Sequence, residues 1–389
     1  MSMQPDPRAP GTYPRRILVA SLGLAPQVLT ETIYCLGKPA VADPARPPFV
    51  PTEIHLITTE EGRQRAMLSL LHPSLAALAA LESDHGLAGI TAALPPENIH
   101  VIRDLDGAYL ADIDSERDNT ATADLMVSLL RSFTGDPNSA LHVSIAGGRK
   151  TMGFLLGYAL SLFARPQDRL SHVLVSKPFE SHRDFFFPPS SPRVLHDQGN
   201  RPMNTADAKI VLAEIPVVRL RDGLPKGLFL HERSYGETVA AAQDAIASPE
   251  LVVDYSLKAL ICGGRKVKLV PVNFAFAAWL AGRAGRLGPD AAAMHWSKCD
   301  WEQFFGIYSV IAGPNNDRVK NMRKRIADVM NTGGAEKFFH EQVSRLRGAI
   351  RNAFDGAASI YEPRPFGRAP VTRVGFAVPA ATITILGGP

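Results

Sequence analysis

From Ile17 to Val175, strand-length apolar runs alternate with stretches of helical spacing, and this alternation limits the fold more than any other feature of the chain. A short run that is apolar throughout reads as a strand buried on both faces, and such strands belong to parallel sheets covered by helices. Ile17-Leu18-Val19-Ala20-Ser21 is the first such run, ending at Gly23. Leu24-Ala25-Pro26-Gln27 makes a turn, and 28–36 has helical spacing. Residues 53–58 read as a second strand and 60–81 as one helix, acidic at its start as the helix dipole favours. A third strand is expected at 99–102, before a polar stretch rich in Asp at 104–118. A helix at 119–132 and a strand at 141–145 follow; Ala146-Gly147-Gly148 then turns into a helix at 151–163, with another strand at 172–175. The expected class is α/β, with a doubly wound parallel sheet.

Residues 176–204 break the rhythm. Phe185-Phe186-Phe187-Pro188-Pro189 reads as an extra strand or a lid, and 210–220 as an apolar strand. Turn-rich Asp222-Gly223-Leu224-Pro225-Lys226-Gly227 marks a domain boundary. Beyond it, 251–260 and 267–269 read as strands about a Gly263-Gly264 turn. Helices are expected from Asn273 to Ala284, over 318–330 and over 336–354, and two closing strands, 371–378 and 381–386, as a hairpin.

Composition adds limits. The chain has 389 residues, 46% hydrophobic and 21% charged, which is ordinary globular usage and enough for two domains. Residues 1–15, polar and Pro-rich, read as a disordered leader rather than a signal peptide. The most membrane-like stretch, 153–164, falls well short of the roughly twenty residues a span requires. No membrane association is expected. Three scattered cysteines, Cys35, Cys262 and Cys299, make no disulfide framework or thiolate metal site, and a reducing cytoplasm fits them. The net charge of +4 hides an asymmetry: 251–389 holds 19 Lys and Arg against 10 Asp and Glu, an excess of nine positive charges. Such an excess suggests a polyanion partner, or simply a solvated basic face.

Two loops carry the candidate chemistry. In an open α/β sheet, ligands bind beyond the carboxyl ends of the strands. The loop Gly23-Leu24-Ala25-Pro26-Gln27 lies there, and its amides with the following helix start can hold an anion. Ser144-Ile145-Ala146-Gly147-Gly148-Arg149-Lys150-Thr151 is the second. Its glycines let backbone approach a phosphate, and Arg149 and Lys150 fall at a helix start, where cations oppose the dipole. A bound anion would relieve that conflict; a tight turn with solvated cations is the plainer reading. The acids Asp112, Asp114, Glu116 and Asp118 suit a solvated helix entry better than a metal site. No metal and no cofactor is expected. His-Glu-x-x-His, Gly-x-Ser-x-Gly and dinucleotide fingerprints are absent.

At these residues the chain resembles a known family. Leu18-Val19-Ala20-Ser21-Leu22-Gly23-Leu24-Ala25-Pro26-Gln27-Val28 with Thr30-Glu31 resembles the first motif of CARF (CRISPR-associated Rossmann fold) proteins. Ile57-Thr58-Thr59-Glu60-Glu61-Gly62 resembles their second-strand signature, and Ala146-Gly147-Gly148-Arg149-Lys150-Thr151-Met152 their ligand-binding motif. Asp207-Ala208-Lys209 with Ile215-Pro216-Val217-Val218-Arg219-Leu220 resembles the CRISPR-associated ring nucleases among them. Residues 251–389 more loosely resemble a winged helix of the response-regulator type. Its hairpin would be 263–269, its recognition helix would hold Val343-Ser344-Arg345-Leu346-Arg347, and its wing would be 371–376.

The resemblance implies a Rossmann-like CARF domain over 16–222 and a winged helix-turn-helix domain over 223–389. It implies a cytoplasmic homodimer in type III CRISPR defence that binds a cyclic oligoadenylate, most simply cyclic tetra-adenylate. The ligand would contact Leu24, Ala25, Pro26, Gln27, Thr58, Thr59, Ala146, Gly147, Gly148, Arg149, Lys150 and Thr151. Metal-independent cleavage is implied, with Lys150 stabilising charge, Arg149 holding phosphate and Gln27 orienting a hydroxyl or phosphate. Some ring nucleases place Ser in the first loop where Ala25 stands here, which removes a hydroxyl-assisted step at that point. The alternative is a ligand-gated DNA-binding regulator that reads DNA through Arg345, Arg347 and Arg351. A third possibility is a winged helix that serves dimerisation or covers the ligand. No Arg precedes any His by five positions, so a ribonuclease domain of the Arg-x-x-x-x-His type is not expected.

Overall fold

A computed structural model describes residues 5–38, 47–180, 182–224, 226–229, 232–246, 249–313, 317–330, 334–354, 360–368 and 372–388. The chain divides into two compact units, one of 1–224 with 232–238 and one of 225–231 with 239–389.

The first unit runs β1 (Arg15–Ser21), α1 (Gln27–Gly37), β2 (Glu53–Thr58), α2 (Glu60–Ala66), α3 (Ala77–His85), β3 (Ile99–Val101), α4 (Glu116–Thr134), β4 (Ser139–Ser144), α5 (Lys150–Phe163) and β5 (Arg169–Val175). A small ribbon, β6 (Val194–His196) with β7 (Pro202–Asn204), precedes β8 (Ile210–Ile215). The main sheet has the order β3-β2-β1-β4-β5-β8. Its first five strands are parallel and β8 is antiparallel to β5. The expected α/β sheet is therefore present, with helices on both faces. Leu18 and Ala20 of β1 share a core with Leu29 and Ile33 of α1 and with Leu78 and Leu81 of α3. Ile17 and Val19, equally buried, alternate to the opposite face, where α4 and α5 pack together.

Several expectations give way to local physics. The single helix expected over 60–81 is broken: α2 passes into a π turn at Met67–Leu71, and His72 leaves helical conformation. Pro73 follows, and the residue before a proline is driven out of the helical region. The strand expected over 210–220 ends at Ile215, because Pro216 has no amide to continue the ladder. Phe185–Pro189 forms no strand. Phe185 packs at a tilt against Phe179 and Phe187 enters the core, while the carbonyl of Phe186 accepts from Thr30 Oγ1 at 2.7 Å. Nor is the leader loose from Pro5 onward: Tyr13 is 3% exposed and the Arg16 guanidinium donates to the carbonyls of Tyr13 and Val50. Residues 1–4 lie outside the described residues.

After α6 (Tyr235–Ile246), the second unit contains β9 (Leu251–Asp254), β10 (Ala259–Cys262), β11 (Arg265–Lys268), α7 (Pro271–Leu287), α8 (Pro289–Ala292), α9 (Trp301–Ala312), α10 (Asp317–Met330) and α11 (Gly334–Ala353). Three short strands follow, β12 (Arg364–Phe366), β13 (Arg373–Gly375) and β14 (Ile383–Leu386). The strand expected over 251–260 is in fact a hairpin. Asp254 accepts from Ser256 Oγ and the Leu257 amide, which folds the chain back between β9 and β10. α7 is the core helix, with every residue from Asn273 to Gly282 buried. A helix apolar nearly all round must be enclosed by its neighbours, here including α9 and α11. The closing hairpin is not formed. β13 pairs with β12, and β14 pairs parallel with β9. Val371, the first residue of the expected wing, lies outside the described residues.

Candidate functional site

The strand order reverses between β1 and β4. The loop after β1 leads to α1 on one face, and the loop after β4 leads to α5 on the other. This is the topological switch point, where open α/β sheets bind ligands. Both candidate loops from the sequence meet here, and small residues let them touch. A side chain on Gly23 would stand 3.2 Å from the Gly148 Cα, and one on Gly147 would stand 2.6 Å from the Ser21 carbonyl oxygen. Ser21 Oγ donates to the Gly147 carbonyl at 2.7 Å, and Thr58 Oγ1 donates to the Leu22 carbonyl at 2.8 Å. Gly148 has φ +84°, a backbone conformation glycine adopts without strain.

Two clefts flank the joined loops. The larger, about 370 Å³, is lined by Gly23, Leu24, Thr59, Asp112, Gly148 and Arg149, among others. Arg149 is the N-cap of α5 and ion-pairs with Asp112, its Nε donating to Oδ1 at 2.9 Å. That hydrogen bond holds the Asp112 carboxyl below the ordinary carboxylate range. Lys150 opens α5, exposed, and has no hydrogen-bond or ion partner among the described residues. The conflict between cation and dipole seen in the sequence is thus half answered by Asp112 and left standing at Lys150. Asp118, from the same acidic stretch, joins Ser115 in the capping box that starts α4.

The smaller cleft, about 140 Å³, is lined by Ala25, Gln27, Val28, Glu31, Ala146, His172, Val173 and Glu180, among others. Gln27 is 8% exposed; its Nε2 donates to the Arg183 carbonyl at 3.1 Å, and its Oε1 is buried without a partner. Glu31, one helical turn further along α1, is 3% exposed. Burial, with the nearby Glu180 as the lesser cause, pushes its carboxyl up to about 8.

The expected contact residues therefore divide between two clefts. Leu24, Thr59, Gly148 and Arg149 line the larger; Ala25, Gln27 and Ala146 line the smaller. Gly147 and Pro26 shape the loops, and Thr151 is exposed beside Lys150 on the first turn of α5. Thr58 is fully buried and spends its hydroxyl on Leu22, while Thr59 caps α2 by accepting from the Gly62 amide. Sequence reasoning singled out neither Glu180 nor His172, and gave Glu31 no role of its own. Among the described residues, no group of three His, Cys, Asp or Glu side chains is placed to hold a metal ion.

In the second unit the three candidate nucleic-acid arginines each have an acceptor within the chain. Arg345 pairs with Glu341, Arg347 Nε donates to the Pro363 carbonyl at 2.8 Å, and Arg351 grips Glu362 with contacts of 2.7–3.0 Å.

Fold and site define a doubly wound α/β protein with a glycine-built cleft at its switch point, lined by the Arg149–Asp112 pair. Residues 25–247 match the model of a CRISPR-associated family, described as CRISPR-associated protein NE0113 (Cas_NE0113), and the chain belongs to that family. No curated protein matches. Among solved structures, Enterococcus italicus Csm6 bound to cyclic hexa-2'-fluoro-hexa-dAMP aligns with 93% of this chain and 73% of its own, at 11% identity. The TM-score is 0.25, a likeness too loose to carry fold or ligand across. Among the described residues no helix is long and apolar enough to cross a membrane.

Proposed function

We propose that the first unit is a CARF domain that binds a cyclic oligoadenylate, most simply cyclic tetra-adenylate, as a homodimer, and cleaves it without metal. The observation that carries this reading is Lys150, an exposed cation at the start of α5 with no partner among the described residues, two residues after the Gly147-Gly148 turn. A helix start beside glycine amides favours phosphate, and Lys150 adds the charge that a phosphodiester substrate needs. A two-fold dimer would present the same groups twice to a ring of even symmetry.

The chemistry needs few groups. A ribose 2'-oxygen attacks the adjacent phosphorus in line, the bond to the 5'-oxygen breaks, and a 2',3'-cyclic phosphate and a 5'-hydroxyl result. The protein's part is to align attacker and leaving group and to stabilise charge on the phosphorane. Lys150 is assigned that stabilisation, and Arg149 would hold phosphate by exchanging Asp112 for it. Gln27, whose amide group faces the smaller cleft, positions rather than reacts.

Incubation with cyclic tri-, tetra- and hexa-adenylate in EDTA, followed by mass analysis, tests this. Linear products ending in 2',3'-cyclic phosphate, lost in Lys150→Ala, are expected; a ring that binds but stays intact would make the protein a receptor only. The regulator reading has the positive excess of 251–389 in its favour. It would require Arg347 and Arg351 to leave the Pro363 carbonyl and Glu362. Salt-dependent DNA binding that changes with the ring would support it.

A further inference from the structure

The smaller cleft is chemically unlike the larger one. Its titratable groups are Glu31 from α1, His172 from β5 and Glu180 from the turn after β5, and no Lys or Arg is among its described lining residues. A phosphate would meet carboxyl groups there and no compensating cation, so phosphate belongs on the Lys150 side. The walls are small and apolar, from Ala25, Val28, Ala146 and Val173. Two polar side chains, Gln27 and Glu31, are each more than nine-tenths buried and line this space. Gln27 Oε1 is an orphaned buried acceptor, and the Glu31 carboxyl lines the same cleft, kept neutral by burial. Buried polar groups normally have partners, so a ligand is the natural source of the one Gln27 lacks. At about 140 Å³ the cleft is the size of cavities that hold one aromatic ring.

We propose that this cleft is a base-reading subsite that admits the six-membered ring of an adenine. The Glu31 carboxylic acid donates its O–H to N1 and accepts one hydrogen of the 6-amino group, and Gln27 Oε1 accepts the other. This rests on the reading of the first unit as a cyclic oligoadenylate receptor, and it divides the ligand between a phosphate side and a base side of the same joined loops. A protonated carboxyl offers one donor and one acceptor, which matches adenine; an ionised carboxylate offers acceptors only and does not. Burial keeps Glu31 protonated at neutral pH, with Glu180 acting in the same direction.

The test is calorimetric titration of the full-length protein with cyclic tetra-adenylate, and with the same ring built from purine riboside, which lacks the 6-amino group. Glu31→Gln keeps a donor and an acceptor and should bind within about threefold of the parent at pH 7. Glu31→Ala should bind about tenfold or more weakly, the loss of hydrogen bonds that leaves a buried edge unpaired. Binding by the parent should fall by about tenfold between pH 7 and pH 9 while that of Glu31→Gln stays level. The purine riboside ring should bind the parent more weakly than the adenosine ring. Equal binding of the two rings, or a Glu31→Ala protein that melts normally and binds like the parent, overturns the subsite and leaves the receptor reading intact. If the adenosine ring does not bind at all, the receptor reading fails, and adenosine 5'-monophosphate decides the rest. Binding of the mononucleotide that is lost in Glu31→Ala keeps the subsite, and no binding removes it as well.

Discussion

Glu31→Gln should make the protein more stable, and by an amount that grows with pH. The carboxyl is 3% exposed and burial raises it to about 8 from an ordinary 4.5. A group raised in the folded state contributes its full stability below pH 4.5, where both states are protonated. That contribution is lost as pH rises, because the unfolded chain ionises first, and the loss is complete above about pH 8. Each pH unit in that window is worth about 1.4 kcal/mol, so the full loss approaches 5 kcal/mol. An amide of the same shape never ionises and carries no such loss. Between pH 5.5 and pH 7.5 the variant should therefore gain about 3 kcal/mol on the parent. For a unit of this size that is roughly 5–10 °C in Tm. The assay is thermal unfolding of both proteins across this range, with the difference between them plotted against pH so that every other titrating group cancels. A difference in Tm that does not change with pH would refute the reasoning, since it would mean that Glu31 titrates alike in the folded and unfolded chains.

Other perturbations probe other links. Gly147→Ala puts a Cβ 2.6 Å from the Ser21 carbonyl oxygen and should cost about 1–3 kcal/mol in a denaturation assay, by prising the two loops apart. Thr58→Val leaves the Leu22 carbonyl without its donor and should destabilise by about 1–3 kcal/mol, with ring affinity per folded molecule unchanged. Asp112→Asn releases Arg149 from its ion pair and should tighten cyclic tetra-adenylate binding severalfold at low salt, measured by titration; weaker binding would mean that Asp112 holds Arg149 in its working position. His55 and His100 share a 2.9 Å hydrogen bond and are both lowered, chiefly by burial, His100 to about 4. Their contribution is present above pH 6.5 and is lost as pH falls towards 4, so acid unfolding should begin at lower pH in a His55→Phe, His100→Leu double variant.

The first unit was legible because its signals are local and agree with one another. β1 is apolar on both faces, Gly23 and Gly147-Gly148 mark the loops, and the spacing of Leu29, Ile33 and Leu36 places a helix between them. The misreadings fall where one residue overrules a pattern. Apolar periodicity runs on through Leu70 and Leu71, but Pro73 ends the helix before Ala77 restarts it. Leu251 to Leu260 is apolar enough for one strand, but Asp254 turns the chain because its side chain bonds forward to Ser256 and Leu257. The last strand was placed well and paired wrongly. Its sequence fixes extended backbone, whereas its partner, β9, lies some 130 residues earlier, beyond any local rule.

The cations at the start of α5 were legible in the sequence and the buried Glu31 was not, for a physical reason. Cations at a helix start contradict the dipole, and a contradiction within a single turn can be read from a single turn. Glu31 contradicts nothing locally, since a glutamate in a helix is ordinary. It becomes unusual only because β5 and Glu180 line the same side of α1, where Gln27 is tied to the Arg183 carbonyl and Thr30 to that of Phe186. A carboxyl is made neutral by what covers it, and here the cover is supplied by chain some 150 residues later. The Phe-rich segment is therefore neither an extra strand nor a free lid. It is bonded to the turn of α1 that precedes Glu31, through Gln27 and Thr30, and loosening it should admit water to Glu31 and lower its carboxyl towards its ordinary range. Phe185→Ala, followed by a carboxyl titration of labelled glutamate, would show Glu31 ionising at lower pH than in the parent. An unchanged titration would place the cause of its burial in β5 alone.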